Sequence, residues 1–195
     1  MNAAGKQVVV IAGPSGSGKN AVINAILKRH PNVARLVTAT TRTMRPGEQE
    51  GVDYYFMSQE RFDEELGLGH IPEHRFVPAL NTSYGTYLPD LDKRMKEGKV
   101  VFAQVDIEGA KLLKEKYHAT TIFIMPESLE QFRGRLRARN PEWSSKEFEA
   151  RMKITEEEMR VHSPQYDYRV VNADGKLEET VREVMEILRK EGYNL

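Results

Sequence analysis

Chemistry first becomes visible in the run Gly13-Pro14-Ser15-Gly16-Ser17-Gly18-Lys19. Glycines spaced this way let the backbone bend until successive N–H groups point inward, and Lys19 adds a full positive charge. The residues before the run, VVVIA, are apolar and suit a strand. Those after it, AVINAILKR, place Val22, Ile23, Ile26 and Leu27 at helical spacing. Strand, glycine-rich loop and helix in this order form a cradle for the β- and γ-phosphates of a nucleoside triphosphate, with the helix N-terminus aimed at the anion. The plainer alternative is a glycine-rich turn that binds nothing. A Ser or Thr ordinarily follows the lysine and offers its hydroxyl to Mg2+. Here Asn20 follows, then Ala21. An Asn carbonyl can ligate the ion, or waters can fill the gap.

A second anion site is suggested further along. Thr38-Ala39-Thr40-Thr41-Arg42-Thr43-Met44-Arg45 is followed by Gly51-Val52-Asp53-Tyr54-Tyr55-Phe56. Two arginines three apart, leaving a strand end near the loop, can converge on a phosphate, and tyrosine hydroxyls can add donors. Alone, the same residues also read as a solvent-exposed basic turn. Arg133, Arg135, Arg137 and Arg139 form a basic run and Glu156, Glu157 and Glu158 an acidic one; runs of this kind are commonly solvated helix faces. His30, His70, His74, His118 and His162 lack metal-ligand spacing, and Pro72 separates the one helical-looking pair, so all five read as surface or packing residues.

Composition narrows the partners. The chain has 195 residues, room for one α/β domain carrying small inserted lobes. Its 29 Lys and Arg balance 29 Asp and Glu, which advertises neither nucleic acid nor a membrane surface. The absence of cysteine excludes disulfides and thiolate metal sites and suits a reducing cytoplasm. The first strand begins within a few residues of Met1, and no apolar run approaches the length of a membrane span, so a soluble cytoplasmic chain is expected.

Several elements must position these residues. Strands are expected at 7–12, 34–40, 99–105, 120–125 and 168–171, and helices at 19–29, 90–97, 109–116, 128–138, 145–161 and 177–191. Alternation of the two types means a parallel sheet covered on both faces, with ligands beyond the carboxyl ends of its strands. Residues 42–88 hold short strand-like pieces at 52–56, 71–76 and 84–88 and a helix after Ser58, too much for a single crossover, so they read as an inserted lobe. Residues 133–151, arginine-rich and broken at Asn140-Pro141, read as a helical lid. The core is then 1–41, 89–132 and 152–195.

GPSGSGK, TTRTMRPGE, GVDYYF with a serine soon after, SYGT, VDIEGA, RLRAR and YDYRVVN together resemble the guanylate kinase family in order and approximate spacing, over nearly the whole chain. The resemblance implies a P-loop nucleoside monophosphate kinase that phosphorylates GMP from ATP with Mg2+ as cofactor, as a monomer or homodimer. It assigns Arg42, Arg45, Tyr54 and Tyr84 to the GMP phosphate and Thr38, Glu73 and Thr86 to the guanine edge. A carboxylate at Glu73 can accept from guanine N1–H and the exocyclic amine, while adenine would leave the same groups unpaired. Arg135, Arg139 and Arg151 are the lid arginines that would bracket the transferring phosphoryl, and Asn172 falls near the adenine of ATP.

Two positions depart from that pattern. Asn20 stands where a hydroxyl often binds Mg2+, and Gln104 replaces the first acid of a D-x-D pair, leaving Asp106 as the possible outer metal ligand. The stretch from Glu73 to Tyr84 is also slightly longer than the pattern. A kinase of the same fold acting on another nucleotide or a phosphorylated sugar is one alternative. A guanylate-kinase-like domain that binds phosphopeptides without catalysis is the other.

Overall fold

The computed structural model describes residues 5–195, apart from the side chain of Ala79; the first four residues of the expected core segment lie outside the described residues. The central strand β1 (Val8–Ala12) is buried at all five positions. Successive strand residues face opposite ways, and the core divides accordingly. Val9 and Ile11 pack with Val22, Ile23 and Ile26 of α1 (Lys19–Arg29) and with Val181, Val184 and Leu188 of α7 (Leu177–Lys190). Val8, Val10 and Ala12 pack the other way, against Leu91 of α3 (Leu88–Lys96) and Ala110 and Leu113 of α4 (Ile107–Tyr117). A strand apolar on both faces belongs in the middle of a covered parallel sheet.

That sheet has five strands. β2 (Val33–Arg35), β7 (Val100–Ala103), β1, β8 (Thr120–Pro126) and β9 (Tyr168–Asn172) lie in this spatial order, every neighbouring pair parallel. The carboxyl ends of β1 and β7 lead into the glycine loop and into Gln104–Asp106. A second sheet is made of β4 (Tyr55–Phe56), β3 (Ala39–Thr40), β6 (Thr82–Gly85) and β5 (His74–Val77) in spatial order, mostly antiparallel, with α2 (Gln59–Gly67) packed on it through Phe62.

The run at 34–40, expected as one strand, is split between the two sheets. Leu36 still donates to Phe102, and the next amide, Val37, which points away from β7, donates to the Asp90 carboxylate at 2.8 Å. Asp90 is buried on α3 and also accepts from the Tyr55 hydroxyl (3.0 Å) and Arg94 (2.6 Å). One buried carboxylate thus anchors the chain where it leaves the core sheet, next to Thr38. Two further differences have local causes. The piece expected as a strand at 84–88 stops at Gly85 and becomes helix at Leu88, because Pro89 is well placed in a first helical turn. The helix expected at 109–116 begins at Ile107, because the Asp106 side chain caps it through the amides of Glu108 and Gly109.

α5 (Leu129–Arg139) and α6 (Ser145–Glu157) form a helical hairpin with its own small core of Phe132, Leu136, Phe148, Met152 and Trp143. Ser144 and Glu147 cap α6 reciprocally. The helix expected to run to 161 changes at Glu157: residues Glu158–His162 form one π-helical turn before the chain enters β9. Among the described residues no helix is long and apolar enough to cross a membrane.

Candidate active site

The glycine loop leads from β1 to α1 and closes on itself, with Ser17 N–H donating to Pro14 O (3.1 Å) and Lys19 Nζ to the same carbonyl at 3.3 Å. Gly18 carries φ 88°, and a Cβ there would lie 2.1 Å from Asn172 Nδ2, so no other residue type fits. No acidic residue occupies the first turn of α1, which leaves its N-terminal amides and dipole available to an anion. Burial lowers the Lys19 pKa from its ordinary value, an effect that Glu158 opposes. A bound polyphosphate would relieve it.

Asn172 comes from the end of β9 and supports the loop. Its amide donates to Ser17 O at 2.8 Å, and its carbonyl accepts from the Thr180 hydroxyl at 3.2 Å. Both ends of this buried side chain are therefore engaged by protein, and it ties the end of β9 to the loop.

Thr38, Tyr54, Glu73, Tyr84, Thr86 and Gln104 line one cavity of about 290 Å3, together with Arg75 and Asp106. They come from separate elements: the junction after β2, the turn before β4, the approach to β5, β6 and the end of β7. Glu73 and Thr86 form the wall that could read a base, since the Thr86 hydroxyl donates to Glu73 Oε1. Burial raises the Glu73 carboxyl above its usual value, the Thr86 hydrogen bond offsets part of this, and Asp106 adds to the rise. Gly109 of α4 sits against the same carboxylate; a Cβ there would come within 2.9 Å of Glu73 Oε1.

The arginines are held in readiness by their neighbours. Arg42 makes a two-pronged ion pair with Glu48 at 2.7 and 3.0 Å, and Glu48 also accepts from the Arg45 amide at 2.7 Å. Its guanidinium lies 5.4 Å from the centre of the Tyr54 ring and 5.6 Å from that of Phe56. The pairing holds Glu48 below the ordinary carboxylate range. Burial raises the Tyr54 hydroxyl, which keeps it a donor. The Arg45 side chain is exposed and makes no hydrogen bond or ion pair among the described residues. Glu48 lay within the TTRTMRPGE string without a role; its signal was an acid a few residues from two arginines.

The two departures meet each other. Gln104 Nε2 donates to Asn20 Oδ1 at 2.5 Å, so the end of β7 and the first turn of α1 are tied directly. Asp106 lines the acceptor cavity and also a smaller one, about 240 Å3, that reaches Ala12 and Gly13.

The lid arginines divide. Arg139 donates to the Ser15 hydroxyl at 2.8 Å, placing α5 over the loop. Arg135 is bound to Asp174 at 2.7 Å and to Asn172 O at 3.0 Å, beside the loop. Arg151 stands apart, its guanidinium 5.4 Å from the centre of the Trp143 ring within the lid. Asp174 was not foreseen; it lies two residues beyond the VVN motif with no local pattern to mark it.

This geometry has relatives. The guanylate kinase family model matches residues 5–191. A guanylate kinase of Lactococcus lactis is 36% identical over 189 residues, covering 96% of this chain and 89% of that protein. One from Prochlorococcus marinus is 33% identical, covering 94% of this chain and 97% of that protein. The crystal structure of guanylate kinase from Anaplasma phagocytophilum superposes with a TM-score of 0.69 at 32% identity, covering 98% of this chain and 88% of that one. With a glycine loop, an acceptor-sized cavity beside it and an arginine-bearing lid in one fold, the chain belongs to the guanylate kinase family.

Proposed function

We propose that the protein transfers the γ-phosphoryl group of ATP to the phosphate of GMP, giving ADP and GDP. The observation that carries this reading is the cavity joining Thr38, Tyr54, Glu73, Tyr84 and Thr86, linked to the glycine loop through Gln104 and Asn20. Glu73 accepts from guanine N1–H and the exocyclic amine, and the Thr38 hydroxyl serves O6, joined by the Thr86 hydroxyl once it turns from Glu73. Arg42, Arg45, Tyr54 and Tyr84 hold the acceptor phosphate. Lys19 and the loop amides hold the β- and γ-phosphates of ATP. Arg135, Arg139 and Arg151 converge as the lid closes, for which Arg135 must leave Asp174 and Arg151 its place on Trp143.

No general base is required. A phosphate monoester has a second pKa near 6, so the attacking oxygen already carries charge at neutral pH. Catalysis then rests on alignment and on positive charge around the phosphoryl in flight, with water excluded by the lid.

Mg2+ is the metal this chemistry implies. Among the described residues no three His, Cys, Asp or Glu side chains cluster as an ion site. Donors near the loop include the Asn20 carboxamide and the Asp106 carboxylate. They fit Mg2+, which is commonly held by one or two protein oxygens with phosphates and waters completing the shell. When bound, the ion neutralises charge on the β- and γ-phosphates. Asn20→Ser supplies the usual hydroxyl and removes the partner of Gln104. Retained activity with a lower half-saturating Mg2+ concentration is expected in a magnesium titration. A large loss of activity would show that the Asn20–Gln104 link matters more than the ligand.

Arg42→Ala and Arg45→Ala are expected to weaken GMP binding by about 10–100-fold each, the scale of a charge-assisted hydrogen bond. Arg42→Ala should be the worse because it leaves the Glu48 carboxylate facing the acceptor phosphate. Calorimetric titration with GMP reads both, and unchanged affinity in the two variants would place the acceptor elsewhere. The same titration tests the guanine reading: GMP should bind far more tightly than AMP, and equal affinities would overturn it.

A further inference from the structure

The Arg75 side chain makes no hydrogen bond and no ion pair among the described residues, whereas Arg42 is bound to Glu48 and Arg135 to Asp174. It sits on β5 directly across from Tyr84 on β6 in the antiparallel register, so the two residues share a face of the second sheet. It lines the acceptor cavity with Tyr54 and Tyr84, and it also lines the smaller cavity that reaches Gly13 at the glycine loop, with Asp106 and Glu158. Arg75 thus borders both the acceptor cavity and the cavity that reaches the start of the glycine loop.

Charge makes the position meaningful. Glu73, Asp106 and Glu158 put three carboxylates around these two cavities. An acceptor phosphate and a triphosphate must approach each other in the same space. A planar guanidinium with five donors can bond oxygens of two phosphates at once, and can do so bidentately.

We propose that Arg75 is a further substrate-contacting residue, binding the acceptor phosphate beside Tyr84 and following the phosphoryl group as it passes between the two cavities. This rests on the kinase reading above, and extends it by a cation outside the TTRTMRPGE motif and outside the lid. No bond to protein has to break for it to act. Like Arg45, and unlike Arg42, it can therefore meet an incoming phosphate without first releasing a carboxylate.

The test uses the whole protein with Arg75→Ala and Arg75→Lys, titrated with GMP and with guanosine, and followed by single-turnover kinetics with ATP. The side chain is exposed and unpartnered on an outer strand, so both variants are expected to fold. Arg75→Ala should weaken GMP about tenfold or more, leave guanosine unchanged and slow the single turnover. Arg75→Lys should fall between, keeping the charge and losing the fork. GMP affinity and turnover within twofold of the unaltered protein would overturn the proposal. So would an equal loss for guanosine, which would mark a structural effect on the pocket. If the unaltered protein phosphorylates another acceptor and not GMP, the guanine reading falls by itself. The same series with that acceptor and its dephosphorylated form then decides the role of Arg75.

Discussion

Replacing Lys19 with alanine is expected to lower kcat by about 10²–10³-fold or more, the cost of removing one preorganised charge aimed at a developing negative group. The side chain bonds only a carbonyl of its own loop, Pro14 O, at 3.3 Å. Little packing is lost with it. The melting temperature should therefore stay close to that of the unaltered protein while turnover collapses. Burial already lowers the Lys19 pKa, so the ammonium is held in a poorly solvated place where a phosphate is its natural counter-charge. Turnover near that of the unaltered protein, with ATP affinity unchanged, would remove the loop from the mechanism.

Glu73→Gln is the second large effect. A carboxylate can accept two guanine protons, whereas a carboxamide must set its own N–H₂ against one of them, leaving donors facing each other in a confined site. Two charge-assisted hydrogen bonds are at stake, so kcat/KM for GMP should fall about 10²–10⁴-fold. Discrimination against AMP should shrink with it. The Thr86 hydroxyl can still donate to the amide oxygen, so the wall keeps its shape. The pH dependence has a definite sign. Glu73 works as a carboxylate and its pKa is raised, chiefly by burial. GMP binding should therefore weaken as pH falls through that raised value, starting at a higher pH than for an ordinary Glu, and the Gln variant should lack this limb. Untouched GMP turnover in Glu73→Gln would exclude the carboxylate as the base reader.

What the sequence made legible follows from how local each feature is. The glycine loop is contiguous from Gly13 to Lys19, so its chemistry could be read from its own residues. Five core strands and their helices announced themselves because β1 and β7 are apolar at every position and β8 is apolar from Ile122 to Met125. The break between β2 and β3 did not, because the chain there is anchored by Asp90, 53 residues from the amide it captures. The acceptor cavity was legible only through family resemblance. Thr38, Glu73, Tyr84 and Gln104 have no spacing that predicts convergence; strand pairing brings them together. Arg75 escaped for a related reason. It lies two residues after Glu73, and residues two apart share a strand face, but the strand beginning at His74 had to be placed first. Asn172 was assigned to the adenine by resemblance, while its bonds to Ser17 and Thr180 depend on contacts across the fold.

The most direct measurement is product identification after incubating the protein with ATP, Mg2+ and, in separate reactions, GMP, AMP, CMP, UMP and a set of ribose phosphates. GDP and ADP formed in equal amounts from the GMP reaction, with little product from the others, is the expected result. Preferential phosphorylation of a different nucleotide or of a sugar phosphate would contradict the guanine assignment and leave phosphoryl transfer at the glycine loop standing. No ATP consumption with any acceptor would contradict the catalytic reading itself.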